Sequence, residues 1–304
     1  MSKSESGEWH LAFVVGELAE GEVEPTTKIH ALKPICYEQF ESDRNAIAEY
    51  HNSLKLIKSV QLNIQEFLQS IVSYAADFLE SKDMNEEKFD MISLNFSRQL
   101  LNILSMFRSL LDHSDFSLSR SFGKTSKELE KWKSVQSEQY DEFFEYRLFY
   151  KLRNYCQHIG VPPLQISFSD SAEQEGVSFR LDLQTDQLLE EKSVWNKQLI
   201  KDLESAPQRI PVIDCLNNWS VCIQDISKTL LEIKRESALD AANRVLAYRG
   251  EHELPTDVGQ LCAVFLPTTD SKPNSLKLTL SWAPESKAFD MLNSNPFQAT
   301  DKVA

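Results

Sequence analysis

Glycine and proline are scarce in this chain, at 8 and 11 of 304 residues. A protein of many short strands spends both at its turns, so the scarcity speaks against an all-β fold. Abundant Leu, Glu, Lys, Ser and Gln take their place and favour helices. Paired cysteines are missing too. The five stand at 36, 156, 215, 222 and 262, with no CxxC among them, which is neither a disulfide framework nor a zinc site. No GxGxxG, GxxxxGK[ST] or GxSxG occurs, so no nucleotide cradle and no nucleophile elbow can be argued. His10, His30 and His252 lack Cys, His or Asp partners at ligand spacing, and no metal or cofactor is expected.

Long apolar runs are absent as well. "MSKSESGEWH" is polar, and the run from Leu11 to Val15 is too short to export or anchor a chain. The expectation is a cytoplasmic protein with no membrane partner. Positive charge is in deficit: 32 Lys and Arg against 46 Asp and Glu leave a net charge of −14. That excludes a general nucleic-acid coat protein, which needs a basic field to gather phosphates. It leaves room for an enzyme with a locally basic cleft, or for an acidic chain that docks on a basic partner.

What is present is a helical pattern. Hydrophobic residues make up 41% and charged residues 26%, as in folded soluble proteins, and the length suits one large domain or two ordinary ones. "HLAFVVGEL" is compatible with a short strand, and the acidic "EGEVEPTT" after it reads as a loop. From about 36 the apolar residues recur at three- and four-residue steps: Leu54, Ile57, Ile64, Phe67, Leu68 and Ile71 in a first helix, then Phe89, Ile92, Phe96, Leu100, Ile103 and Phe107 in a second. "SKDMNEE" separates the two and offers caps for the second. "DHSDFSLSRSFGKTS" reads as a serine-rich connection. Ser126 is placed to cap a long third helix that ends at His158 to Gly160, where glycine suits the position after the last turn and proline cannot continue it. "LQISFSD" and "GVSFRLDLQTD" alternate at period two and predict a hairpin. Helices return near 192–204 and 212–248, and "CAVFLP" and "SLKLTLSW" read as late strands. Trp195 and Trp219 sit among apolar residues and are expected in the core. The predicted fold is mainly α: an N-terminal segment (1–35), a helical bundle (36–160), a smaller α+β region with a few short strands (161–285) whose helices can pack on the bundle, and a polar, flexible tail (286–304).

The stretch that bears on chemistry is "LRNYCQHIGVPP", residues 152–163. Arg153 is followed by the polar Asn154 and then, after four intervening residues, by His158. Arginine stays charged and grips phosphate oxygens as a fork. Histidine titrates nearest neutrality and can take the 2′-hydroxyl proton or supply one to a leaving oxygen. An amide such as Asn154 can orient either. Near a helix C-terminus, His158 would feel the negative end of the dipole, which favours its charged form. "YRLFYKLRNYCQH" adds Arg147 and Lys151 without an acid, and Tyr150, Tyr155 and Gln157 lie beside them as further substrate contacts, the tyrosines to stack on bases. Arg153 and His158 are five apart, so about 140° separates them on a regular helix. Either the helix loosens before Gly160, or two copies of the motif meet across a dimer.

An Arg-x4-6-His motif at the end of a long helix in a helical bundle resembles the HEPN superfamily, many of whose members are metal-independent ribonucleases. The resemblance covers about residues 40–160. It implies a homodimer with one cleft built from two protomers' motifs, and a hydrolase acting on RNA as a toxin–antitoxin or defence-type effector. His158 would be the acid–base, Arg153 the stabiliser of the phosphorane and Asn154 the orienting residue, while the C-terminal region would sense, regulate or bind a protein partner. The motif is short, and composition alone gives roughly 0.7 matches by chance. Two others occur. "RNAIAEYH" joins Arg44 to His51 among acids, and "RSLLDH" joins Arg108 to His113 with Asp112 beside the histidine. A second reading of Arg153, Asn154, Gln157 and His158 is a helix cap, in which basic and amide side chains bond the last carbonyls. On that reading the chain is an inactive helical scaffold that binds a protein partner.

Overall fold

The computed structural model describes residues 7–17, 26–81, 85–170, 177–251, 259–267 and 279–293. The acidic stretch before Thr26, His252, the first half of "SLKLTLSW" and the tail from 294 onward lie outside them. The protein is mainly α. In chain order the elements are β1 (Gly7–Glu17), β2 (Thr26–Pro34), α1 (Tyr37–Ser81), α2 (Glu86–Phe122), α3 (Lys127–Glu142), α4 (Phe144–His158), β3 (Leu164–Asp170) and β4 (Val177–Gln184). After these come α5 (Thr185–Glu190), α6 (Lys197–Ser205), β5 (Arg209–Pro211), α7 (Val212–Glu251), β6 (Gln260–Pro267), β7 (Thr279–Trp282) and α8 (Glu285–Asn293). The chain divides into two units: residues 1–52 with 232–304, and residues 53–231. This cuts across a contiguous bundle-then-tail division, and α1 and α7 each contribute to both units.

The unit of residues 53–231 is helical with one small sheet. Asn85 caps α2 by accepting from the Lys88 amide, and Glu86 and Glu87 occupy its first turn, where carboxylates suit the dipole. The helix runs through the stretch expected to be a serine-rich connection. Its buried stripe does not stop at Leu111 but continues through Ser114 and Leu118, so packing overrides the weak propensity of the serines. It ends at Gly123, whose φ of 98° and ψ of 159° are backbone that only glycine adopts readily. Ser126 caps α3 as the sequence predicts. The long third helix of the prediction is two helices, broken at Phe143, which is extended at φ −107° and ψ 122°. Rings of Phe107, Tyr146, Phe149 and Trp219 meet edge to face and join α2, α4 and α7. The predicted hairpin is β3–β4, antiparallel with Ile166 opposite Leu181, and β5 adds a third strand in the order β3-β4-β5. Phe168 and Phe179 of the hairpin contact Phe78 of α1 and Phe96 of α2.

The other unit is built from both ends of the sequence. Its sheet has the order β2-β1-β6-β7, antiparallel throughout, with Leu11 opposite Ala263 and Ala12 opposite Cys262. Alternation sends Leu11, Leu261 and Ala263 to one face with Phe40, and Ala12, Cys262 and Val264 to the other. Gly259 turns the chain into β6 at φ 72°, where a Cβ would sit 2.6 Å from the Val14 carbonyl oxygen. Asp43, 1% exposed, is held by Arg244 through Nε and Nη2. Where a polar tail is expected from 286, α8 forms instead. Ala288 and Met291 bury one side of it, and Glu285 receives Arg249 and the Leu261 amide.

Candidate functional site

α4 carries the candidate residues, and its buried side fixes where they point. Tyr146, Leu148, Phe149, Leu152 and Tyr155 are in the core, the i, i+3, i+4 and i+7 pattern of an amphipathic helix. Lys151, Arg153 and Asn154 are half-buried, while Gln157, His158, Ile159 and Gly160 are exposed.

The helix stays regular through His158. Ile159 is still in the helical region, and the amides of Ile159 and Gly160 both donate to the Tyr155 carbonyl. The helix does not loosen before Gly160, nor does Gly160 take the left-handed conformation, which among the described residues belongs to Gly123 and Gly259 alone. Arg153 and His158 thus stay about 140° apart around one axis, while Asn154 shares a face with His158. Among the described residues, the side chains of Arg153, Asn154, Gln157 and His158 make no hydrogen bond or ion pair, and the buried Nε of Arg153 is an orphan donor. They therefore do not cap the α4 carbonyls.

Two of the expected substrate contacts are structural. Arg147 is 6% exposed; its Nε donates to Asp202 at 2.8 Å and its Nη1 to the carbonyls of Tyr140 and Asp141 at 2.7 and 2.9 Å. It closes the end of α3, whose last carbonyls have no helical partner, and ties the break to α6. Tyr155 is buried and stacked on Trp195 at 5.5 Å with 10° or less between planes (6°). Burial pushes its hydroxyl pKa up, and Cys156, Glu191 and Glu190 push it the same way. Tyr150 accepts from Arg108 Nη1 at 2.6 Å, and the Lys151 ammonium stands 6.0 Å from the Tyr150 ring centre.

The two competing motifs are also engaged. Arg108 grips Asp112 through Nε and Nη2. Arg44 pairs with Glu41 at 3.6 Å, and His51 bonds the Lys287 carbonyl. Cys156 is no nucleophile at neutral pH, since burial raises its thiol to about 12. A shallow groove of about 480 Å³ lies between α3 and α7, lined by Lys127, Glu130, Lys131, Ser134, Glu138 and Thr229 among others; no residue of α4 borders it. Among the described residues no three His, Cys, Asp or Glu side chains are grouped to hold a metal ion. Among the same residues, no helix is long and apolar enough to cross a membrane. Sequence reasoning missed Asp202. Its partner Arg147 is 55 positions away, and no spacing rule links the two.

No family model, curated protein or solved structure matches the chain. The resemblance to the HEPN superfamily therefore rests on the α4 residues alone.

Proposed function

We propose that this chain is a non-catalytic helical scaffold that binds a protein partner. One observation carries the reading: the centre of the basic island, Arg147, is spent on Asp202 and on the end of α3. Tyr155 is likewise spent on Trp195, and of the residues that remain, Arg153 and His158 point to different sides of an unbroken helix. The cations left on α4 are few: Lys151 and Arg153 are half-buried, and Arg153 lies about 140° around the helix from His158. The test is RNA cleavage in EDTA. Equal, background-level loss of a labelled mixed RNA by the native protein and by His158→Ala fits the scaffold. Cleavage by the native protein that the variant lacks sinks it.

The second reading is a metal-independent endoribonuclease acting as a homodimer in a toxin or defence role. What favours it is the unpartnered state of Arg153 and His158. Among the described residues neither the half-buried Arg153 nor the exposed His158 is committed to a structural side-chain bond. In that reading His158 is the acid–base, Arg153 stabilises the phosphorane and Asn154 orients the imidazole. Cyclic 2′,3′-phosphate ends from the native protein, abolished by His158→Ala and by Arg153→Ala, are its signature.

A further inference from the structure

Helices break at proline, at glycine or serine pairs, at bulges, or where a side chain enters the ladder of backbone bonds. "EQYDEFFEYRLF", residues 138–149, contains no proline, glycine or serine. Yet α3 and α4 meet there at a sharp corner. Phe143 alone leaves helical geometry, at φ −107° and ψ 122°. The chain turns back far enough to bring the rings of Tyr140 and Tyr150 within 5.8 Å. On one continuous helix, ten residues of rise would separate them by about 15 Å.

Contacts from a later element hold the corner. Asp202 of α6 takes Arg147 Nε at 2.8 Å, and Asn196, the cap of α6, donates to the Tyr140 hydroxyl at 2.8 Å. Arg147 Nη1 in turn occupies the carbonyls of Tyr140 and Asp141. In an unbroken helix each amide bonds the carbonyl four residues back, so these two carbonyls would receive Phe144 and Glu145. The Glu142 carbonyl would receive Tyr146. In the bent form the amides of Phe144, Glu145 and Tyr146 have no protein acceptor among the described residues, and no side chain caps α4. The Arg147 guanidinium therefore replaces helix bonds that the corner breaks.

We propose that this corner is a conformational switch: when Arg147 leaves Asp202 and the two carbonyls, α3 and α4 join into one helix from Lys127 to His158. α3 is the part that moves. α4 buries Tyr146, Leu148, Phe149, Leu152 and Tyr155, whereas α3 buries Trp132 and Gln139. The hold of α3 on α2 is Trp132, whose N–H donates to Asp115, with Lys133 paired to the same carboxylate. The rest of α3, "KELEKWKSVQSEQYDE", is polar enough to stand in water as an arm about 24 Å long. The joined form gains three backbone bonds and gives up the seat of Trp132. A few contacts therefore set the balance, and a ligand that binds the two forms unequally shifts it. Whatever pairs with Arg147 or Asp202, or fills the seat of Trp132 beside Asp115, favours the joined form. The inference does not depend on the function proposed above.

The experiment is hydrogen exchange of the full chain, resolved to single amides, in the native protein and in Arg147→Met with Asp202→Leu. The double substitution replaces a nearly buried ion pair by apolar side chains of similar size, which folds tolerate, and it frees both carbonyls. In the native protein the Glu145 and Tyr146 amides should exchange fast. In the variant they should slow by about tenfold or more, while the α3 amides from Val135 to Glu142 stay protected. Adding Phe144→Pro should cancel the slowing. Proline suits the first turn of α4 and the extended residue before it, but it cannot sit inside a continuous helix. Unchanged exchange at Glu145 and Tyr146 in the double variant overturns the proposal. So does loss of protection along α3, which would mean that the arm unfolds and does not join, and so does a slowing that survives Phe144→Pro. Should the double variant lose its helical circular dichroism, Asp202→Asn, which keeps the shape of the side chain, is read at the same amides. There a slowing of about threefold is expected, and none overturns the proposal.

Discussion

Arg147 illustrates how a single buried charge organises its surroundings. Its ion pair with Asp202 has side-chain exposures of 8% and 17%, and the same guanidinium satisfies two carbonyls at the end of α3. Truncation would leave a nearly buried carboxylate and two carbonyls unpaired, so Arg147→Ala is expected to cost about 3–5 kcal/mol. Lys151→Ala, four residues on and half-buried, should change stability by less than about 0.5 kcal/mol. Urea unfolding of the two variants checks the contrast, and a near-neutral Arg147→Ala would return that residue to the list of substrate contacts. Four thiols, Cys215, Cys222 and Cys262 buried and Cys156 half-buried, give a second check. Burial raises Cys156 and Cys215 to about 12 and Cys222 and Cys262 to about 11. The fold favours the protonated thiol, so this contribution is present below the ordinary value of 9.0 and is lost as pH rises through 11 to 12. The urea midpoint should fall between pH 9 and pH 11. At pH 8 a thiol reagent should modify the exposed Cys36 and spare these four until the protein unfolds. At this scale the sequence is informative about residue types and nearly silent about partners. It places arginine, tyrosine and histidine on one helix, but what removes Arg147 and Tyr155 from the candidate site is Asp202 and Trp195, brought in by later elements.

Elements were legible where a local signal sets them. The caps at Asn85 and Ser126, the 3.6-residue spacing of α1 and α2, and the alternation of β3 and β4 are all properties of a few consecutive residues. Boundaries set by packing were not. α2 continues past the serines because Ser114 and Leu118 extend its buried stripe. The α3–α4 break needs Arg147 to close it, and α8 exists because Ala288 and Met291 find a surface to bury against. Gly123 offers a test of a local determinant. A Cβ there would meet nothing within 4 Å, yet its φ of 98° is one that other residues rarely adopt. Gly123→Ala is therefore expected to destabilise by about 1–3 kcal/mol through the backbone alone. Ser126→Ala, which deletes the cap of the next helix, should cost about 1 kcal/mol. Thermal melts of the two variants and their double decide the point: a neutral Gly123→Ala would mean that the link between α2 and α3 has freedom to rearrange.

The whole molecule is where sequence reading fell furthest short. Local pattern joins sequence neighbours, which puts 1–35 and 161–285 in separate regions. Yet β1 pairs with β6 across about 250 positions, His10 with Val264 and Leu11 with Ala263. Nothing local encodes that pairing. Both strands are apolar on both faces, which requires burial on two sides, but many partners could satisfy the requirement. Loop closure over such a separation is costly before any contact is gained, so this sheet is expected to form after the helices of residues 53–231. The consequence can be tested by removing β1. Deletion of residues 1–17 takes away the strand between β2 and β6 and uncovers Leu261, Cys262 and Ala263, all 1% exposed or less in the intact chain. The amides of β6 should then lose their protection from hydrogen exchange, while those of α2 around Ile103 to Leu111 keep theirs. Equal loss in both places would show that residues 53–231 do not hold together as a unit of their own. Retained protection in β6 would mean that β1 is not what completes the sheet.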